Sequence, residues 1–190
     1  MGYVETTAPT VEPLTPEEVR DVIKYADDAE DKRIRSLIKS VRLLCEHETD
    51  CALINRTITW TPSAFCSVMS PVGDSRARSQ PMNSVTSIKY YDSTPTLQTV
   101  TASDYEVVTS GRIGKIMIAD GASWPTGLDV RAEPIEILLV AGYGATSASV
   151  PEPLRVAMLD HIKWIFDGGY GEFPPHIMQV YFNHSLGIYR

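Results

Sequence analysis

Residues 33–60 read RIRSLIKSVRLLCEHETDCALINRTITW, and within this stretch the period of the apolar groups changes. Ile34, Leu37, Ile38, Val41, Leu44 and Cys45 recur at intervals of three and four, while Lys32, Arg33, Arg35, Lys39 and Arg42 take the other face. That pattern predicts an amphipathic helix over 29–48. From Leu53 to Trp60 the chain is rich in Ile, Thr and Trp, residues that suit a pleated, half-buried surface, and a strand is expected. Everything before this switch reads as helix or tail, and most of the chain up to residue 141 reads as strand.

Upstream, Thr15-Pro16-Glu17-Glu18 combines a capping residue, a proline at the first helical position and an acid three residues after the cap. A helix over 15–25 is expected there, with Val19, Val22 and Ile23 on one face. The acidic run Asp27, Asp28, Glu30 and Asp31 then breaks it and favours the next helix start. Residues 1–13 are Thr- and Pro-rich and short of large apolar groups, so a flexible N-terminal arm is expected.

Downstream, Pro62 to Pro81 holds Gly73, Asp74, Arg76 and Arg78 and reads as a long exposed loop. Strands are expected at Ser84 to Asp92, Thr96 to Val100, and a hairpin of Tyr105 to Thr109 with Arg112 to Ala119 about Ser110-Gly111. Glu133 to Ala141 is nearly continuous in Ile, Leu and Val, as expected of a strand covered on both faces. A helix over 151–167 opens at Pro151 and stops at Gly168-Gly169. The remainder, 170–190, carries Phe173, Ile177, Val180, Tyr181 and Phe182, enough apolar surface for a short helix or an arm that docks on a partner.

Composition narrows the function. The 190 residues are 43% hydrophobic, and 17 Lys and Arg against 24 Asp and Glu give a net charge of −7. Such a balance disfavours a surface built to neutralise phosphates. No stretch reaches the roughly 20 apolar residues of a membrane span and no export signal is recognisable, so a protein made in the cytoplasm is expected. Cys45, Cys51 and Cys66 are an odd number, have no Cys-x-x-Cys spacing, and with His47 match no known zinc pattern, so no metal is expected. No serine or cysteine sits in a Gly-flanked elbow with a histidine and carboxylate to serve it, so no catalytic residue is assigned. His161, alone on a helix, reads as a packing residue. Gly142-Tyr143-Gly144 lacks the Lys-Ser/Thr of a phosphate loop and the third glycine of a dinucleotide fingerprint, and reads as a tight turn; no cofactor is expected.

The order of these features resembles the head-tail connector, or adaptor, proteins of long-tailed phages and gene transfer agents. The likeness is carried by Leu14 to Val19, the acidic break, Leu53 to Trp60, Pro81 to Asp92, Asp104 to Val107, Gly114 to Ile116, Trp124-Pro125, Val140 to Gly144 and Val150 to Arg155. The Cys66 to Gln80 loop and the extra N- and C-terminal segments depart from it. The resemblance implies an α+β fold, with N-terminal and C-terminal helices forming a small bundle packed with an antiparallel β-sheet module at 53–141. It implies a connector domain over 14–169 followed by a docking tail at 170–190. In the virion neck such a chain forms a homo-oligomeric ring, twelve-fold in the family, beneath the portal protein. The ring extends the DNA channel without binding DNA specifically, contacts no membrane, and offers the tail-completion or head-closure protein a surface below. On that reading Phe173, Ile177, Val180, Tyr181 and Phe182 would dock on the portal, and Arg76 and Arg78 would contact a neighbour or the tail. The rivals are another head- or tail-completion ring protein and an enzyme that gathers His161 and a carboxylate in a pocket.

Overall fold

The computed structural model describes residues 2–24, 31–71 and 79–186. The chain folds as α+β and divides into two units, one of residues 1–8 with 55–142 and one of residues 9–54 with 143–190.

The first unit is built on strands, with a turn of 3-10 helix at Ala102–Asp104. Its larger sheet contains β1 (Gly2–Thr7), β2 (Arg56–Thr61), β4 (Met82–Tyr91), β5 (Leu97–Thr99) and β8 (Ile135–Ala141) in the antiparallel order β1-β2-β8-β4-β5. Ile58 pairs with Leu139, and Ile137 lies between Trp60 and Ile88, so the buried positions of three strands fall on one face. A second sheet places β7 (Lys115–Ile118) between β3 (Val68–Met69) and β6 (Tyr105–Val108). In β8, Ile135, Ile137, Leu139 and Ala141 are buried but Glu136, Leu138 and Val140 only partly so. The expectation of two fully covered faces is therefore corrected: the strand alternates, and its second face is only partly screened.

Residues 1–13 were expected as a flexible arm, and for β1 that is corrected. Tyr3 pairs with Trp60 and stacks on its ring at 6.2 Å, Val4 pairs with Thr59, and Glu5 meets Arg56 at 3.0 Å. The segment has few apolar groups of its own, but joining an existing sheet edge supplies backbone partners and a ring surface that composition does not reveal.

Two bulges set the course of β4, where Asn83 and Thr86 are the extra residues in its register with β8. The Asn83 amide donates to Asn55 Oδ1 at 2.7 Å and to the Gly142 carbonyl at 2.8 Å, tying the bulge to the start of β2 and the end of β8. Gln80 is buried, and its Oε1 accepts from the Met82 and Gly114 amides at 3.0 and 2.9 Å. A Cβ at Gly114 would lie 2.5 Å from Met82 Cβ. Gly114→Ala is therefore expected to cost about 1–3 kcal/mol by overpacking, seen as a lower denaturant midpoint; an unchanged midpoint would show that the two strands part freely here.

The second unit is helical: α1 (Pro16–Ile23), α2 (Asp31–Thr49), α3 (Glu152–Phe166) and α4 (Pro175–His184). The expected capping box is present, with the Glu18 amide donating to Thr15 Oγ1 at 3.3 Å and the Thr15 amide to Glu18 Oε2 at 2.7 Å. Asp27, Asp28 and Glu30 lie outside the described residues. Ile34, Ile38, Val41 and Cys45 from α2 pack with Leu154, Met158 and Ile162 from α3. Two positions of α2 differ from the amphipathic reading. Leu44 is 36% exposed, and Arg42 is buried, held by Glu12 at 2.7 Å and by Glu46 at 3.2 Å. Arg42 sits at the flank of the apolar stripe, one helical turn before the buried Glu46, and the pairing with two acids offsets its desolvation.

Candidate functional site

The segment with the most unexplained apolar surface in the sequence is the C-terminal one, and its local chemistry makes it fold back. Gly168 adopts φ +87°, ending α3, and a Cβ at Gly169 would run into the Trp164 ring. Pro174 and Pro175 then start α4, where missing amide hydrogens cost nothing. The return stacks Phe173 edge-on against His161 at 4.5 Å and brings the Tyr181 hydroxyl to 3.2 Å from His161 Nδ1.

The five residues expected to dock on the portal are thereby separated. Ile177 and Tyr181 are fully buried in their own helical unit, which corrects their assignment to a docking surface: their apolar area is already covered by α2 and α3. Phe173 and Val180 are half-buried, and Phe182 is 52% exposed. Phe182 follows Val180 by two residues, so it lies about 160° round the helix axis from it. Arg76 and Arg78 lie outside the described residues.

Between α3 and α4 a groove of about 380 Å³ remains open. Ala157 and Ile177 form its floor, Pro153, Val156 and Val180 its walls, and Glu152, Asp160 and His176 its rim. Val156 is 47% exposed. On the far side of α2, Lys32, Lys39, Leu43, Leu44 and His47 are exposed. No signal in the sequence distinguished this groove from core, because its floor and walls come from apolar positions of two helices that only the turn between them brings together.

His161 faces the core rather than the groove. It is fully buried, burial pushes its pKa down to about 4, and its Nε2 has no hydrogen-bond partner among the described residues. Burial likewise pushes the Tyr181 hydroxyl far up. The imidazole is therefore neutral when folded and titrates near 6.5 when unfolded, so its contribution to stability is complete above pH 6.5 and fades as pH falls from 6.5 toward 4. A loss on the order of 2–3 kcal/mol is expected across that window. In His161→Phe the fall in stability between pH 6.5 and 4 should be shallower than in the native chain; an equal slope would assign the acid sensitivity to other groups.

The cysteines separate in the same way: Cys45 and Cys51 are buried and Cys66 is exposed. Among the described residues no group of three or more His, Cys, Asp or Glu is arranged to hold a metal, and no helix is long and apolar enough to cross a membrane.

No protein-family model matches the chain, and no curated protein does. Solved structures do. A chain in the neck of an empty gene transfer agent particle, computed with C6 symmetry, and one in the virion of the native particle each superpose with a TM-score of 0.75 at 22% identity. A chain in the neck of the native particle, computed with C12 symmetry, gives 0.74 at 22% identity. Each match covers 97% of this chain and 95% of the other. At this identity the likeness is one of fold, and it spans both units.

Proposed function

We propose that the chain is a structural protein of a virion neck: a head-tail adaptor whose copies form a ring beneath the portal, extend the DNA channel and present a surface to the tail. The observation that carries the reading is the coverage of the fold match, since both units align with a chain from a particle neck over 97% of the length. The ordered motifs from Leu14 to Arg155 support the same reading independently. The C6 and C12 symmetry of the matched necks supports a ring, and we take twelve copies as its size. The work of such a protein is assembly, with no bond made or broken.

Charge fits the passage of DNA. Twelve copies of a chain with net charge −7 line a channel that repels phosphates, so DNA slides through without condensing on the wall. A channel face found to be rich in Lys and Arg would contradict this part of the proposal. With Ile177 and Tyr181 committed to the core, the portal contact falls to Phe182, which is 52% exposed.

Deleting the gene in a producing cell is expected to leave DNA-filled heads without tails, their portal vertex bare. Tailed particles of normal appearance would contradict the adaptor role. Heads that keep a ring under the portal yet lack tails would move the protein one layer down, to a head-closure or tail-completion ring.

A further inference from the structure

We propose that the groove between α3 and α4 is the socket for the exposed face of α2 from a second copy of this chain, and that this contact, repeated by rotation, closes the ring. The inference rests on the ring reading above and names the surfaces that make it.

The groove is apolar inside, with Ala157 and Ile177 below and Val156 and Val180 at the sides; its rim carries Asp160, His176 and Glu152, the last paired with Arg155 at 2.7 Å, so Asp160 is the carboxylate offered to a partner. In a single chain Val156 is 47% exposed and Val180 only half-buried, so the walls of the groove meet water and an apolar partner would cover them. The complement is carried by the same unit. Lys32, Ser36, Lys39, Ser40, Leu43 and His47 recur along α2 at helical spacing and form an exposed stripe. Leu43 and Leu44 are 38% and 36% exposed, one turn beyond Lys39. Apolar groups flanked by lysine thus match an apolar floor flanked by aspartate.

The occupant is a second copy rather than the chain's own α2. That helix already packs through Ile34, Ile38, Val41 and Cys45 into the core it shares with α3, and a helix cannot present both faces to the same neighbour. Plug and socket lie on different surfaces of one unit, so two copies joined this way are related head to tail. Such a contact leaves a free plug and a free socket at each end until rotation closes a ring. A two-fold dimer would instead need both plugs and both sockets to engage at once across one axis, which closes the pair and leaves no free end to extend a ring.

The test uses the full chain with the portal from the same locus. Asp160 and Lys39 are exposed, so Asp160→Lys and Lys39→Glu should keep the native melting profile. Each alone is expected to raise the protein concentration for half-maximal ring formation on the portal by about tenfold, and the charge-swapped double variant should recover most of that loss. In a Cys66→Ser background, Leu43→Cys with Val156→Cys should give a ladder of covalently joined chains on mild oxidation, since Cys45 and Cys51 are buried. A native ring that is indifferent to both charge reversals and yields no ladder overturns this contact and leaves the adaptor reading intact. A bridge from Val156→Cys to the portal, instead of to a second copy, also overturns it. A native chain that forms no ring on the portal contradicts the adaptor reading itself.

Discussion

Truncation after Gly169 is expected to unfold the helical unit, not merely to remove an attachment tail. The deleted segment carries Ile177 and Tyr181, both fully buried, and the hydroxyl that pairs with His161 Nδ1. Emptying a buried isoleucine site costs about 2–5 kcal/mol and a large aromatic site about 3–5 kcal/mol. Together these rival the roughly 5–15 kcal/mol that holds a typical domain. The loss also uncovers Ala157, Met158 and His161 on α3. The truncated chain should therefore show no cooperative helical melt, measured by circular dichroism. Phe182→Ser, at a 52% exposed position of the same helix, should keep the cooperative melt that the truncation loses. A truncated chain that melts like the native one would show that α4 contributes nothing to the core, and would return all five aromatic and aliphatic residues of the tail to the portal contact.

Glu46→Ala is expected to be the most damaging single substitution in α2, at about 3–5 kcal/mol. Glu46 is fully buried; its Oε2 accepts from Arg42 at 3.2 Å and its Oε1 from the Leu53 amide at 3.1 Å. Alanine would leave a buried guanidinium short of one carboxylate and remove the acceptor that fixes the chain as it leaves α2. Glu46→Gln keeps an acceptor for Leu53 and should cost less, about 1–3 kcal/mol. The double variant Arg42→Met with Glu46→Met should be less damaging than Glu46→Ala, because no charge is then stranded in the core. Chemical denaturation of the three variants checks the order. If Glu46→Ala cost under about 1 kcal/mol, water would have to reach Arg42, and the ion pair would be a surface feature.

How much of the fold is legible in the sequence depends on how local each cause is. The Thr15 and Glu18 capping box needs only four residues, and the start of α1 was readable from them. The α2 stripe of Ile34, Ile38, Val41 and Cys45 was readable because a helix brings such positions together regardless of the rest of the fold. Arg42 was misplaced for the converse reason: whether a residue at the edge of a stripe is wet or dry depends on Glu12, thirty residues away. β1 was missed because its stability resides in Trp60 and the β2 backbone rather than in its own side chains. The order β1-β2-β8-β4-β5 sets Gly2 beside Thr61 and Arg56 beside Ala141 only through register, which no local pattern encodes.

For the surfaces, the sequence could not separate the members of one apolar segment. Phe173, Ile177, Val180, Tyr181 and Phe182 read alike as apolar groups in a tail, yet the turn at Gly168 to Pro175 sends Ile177 and Tyr181 inward and leaves Phe182 outside. The groove beside Val180 arises where two helices meet across that turn, and it has no linear signature. Cys45 and His161 were expected to be packing residues, and both are fully buried.

The central claim, that this chain builds a ring on a portal, is tested most directly by the mass of the purified protein in solution, alone and mixed with the portal from the same locus, measured by light scattering. The adaptor reading predicts a species whose mass exceeds that of the portal by about twelve chains. A mixture in which the portal keeps its own mass and the chain stays separate would contradict it.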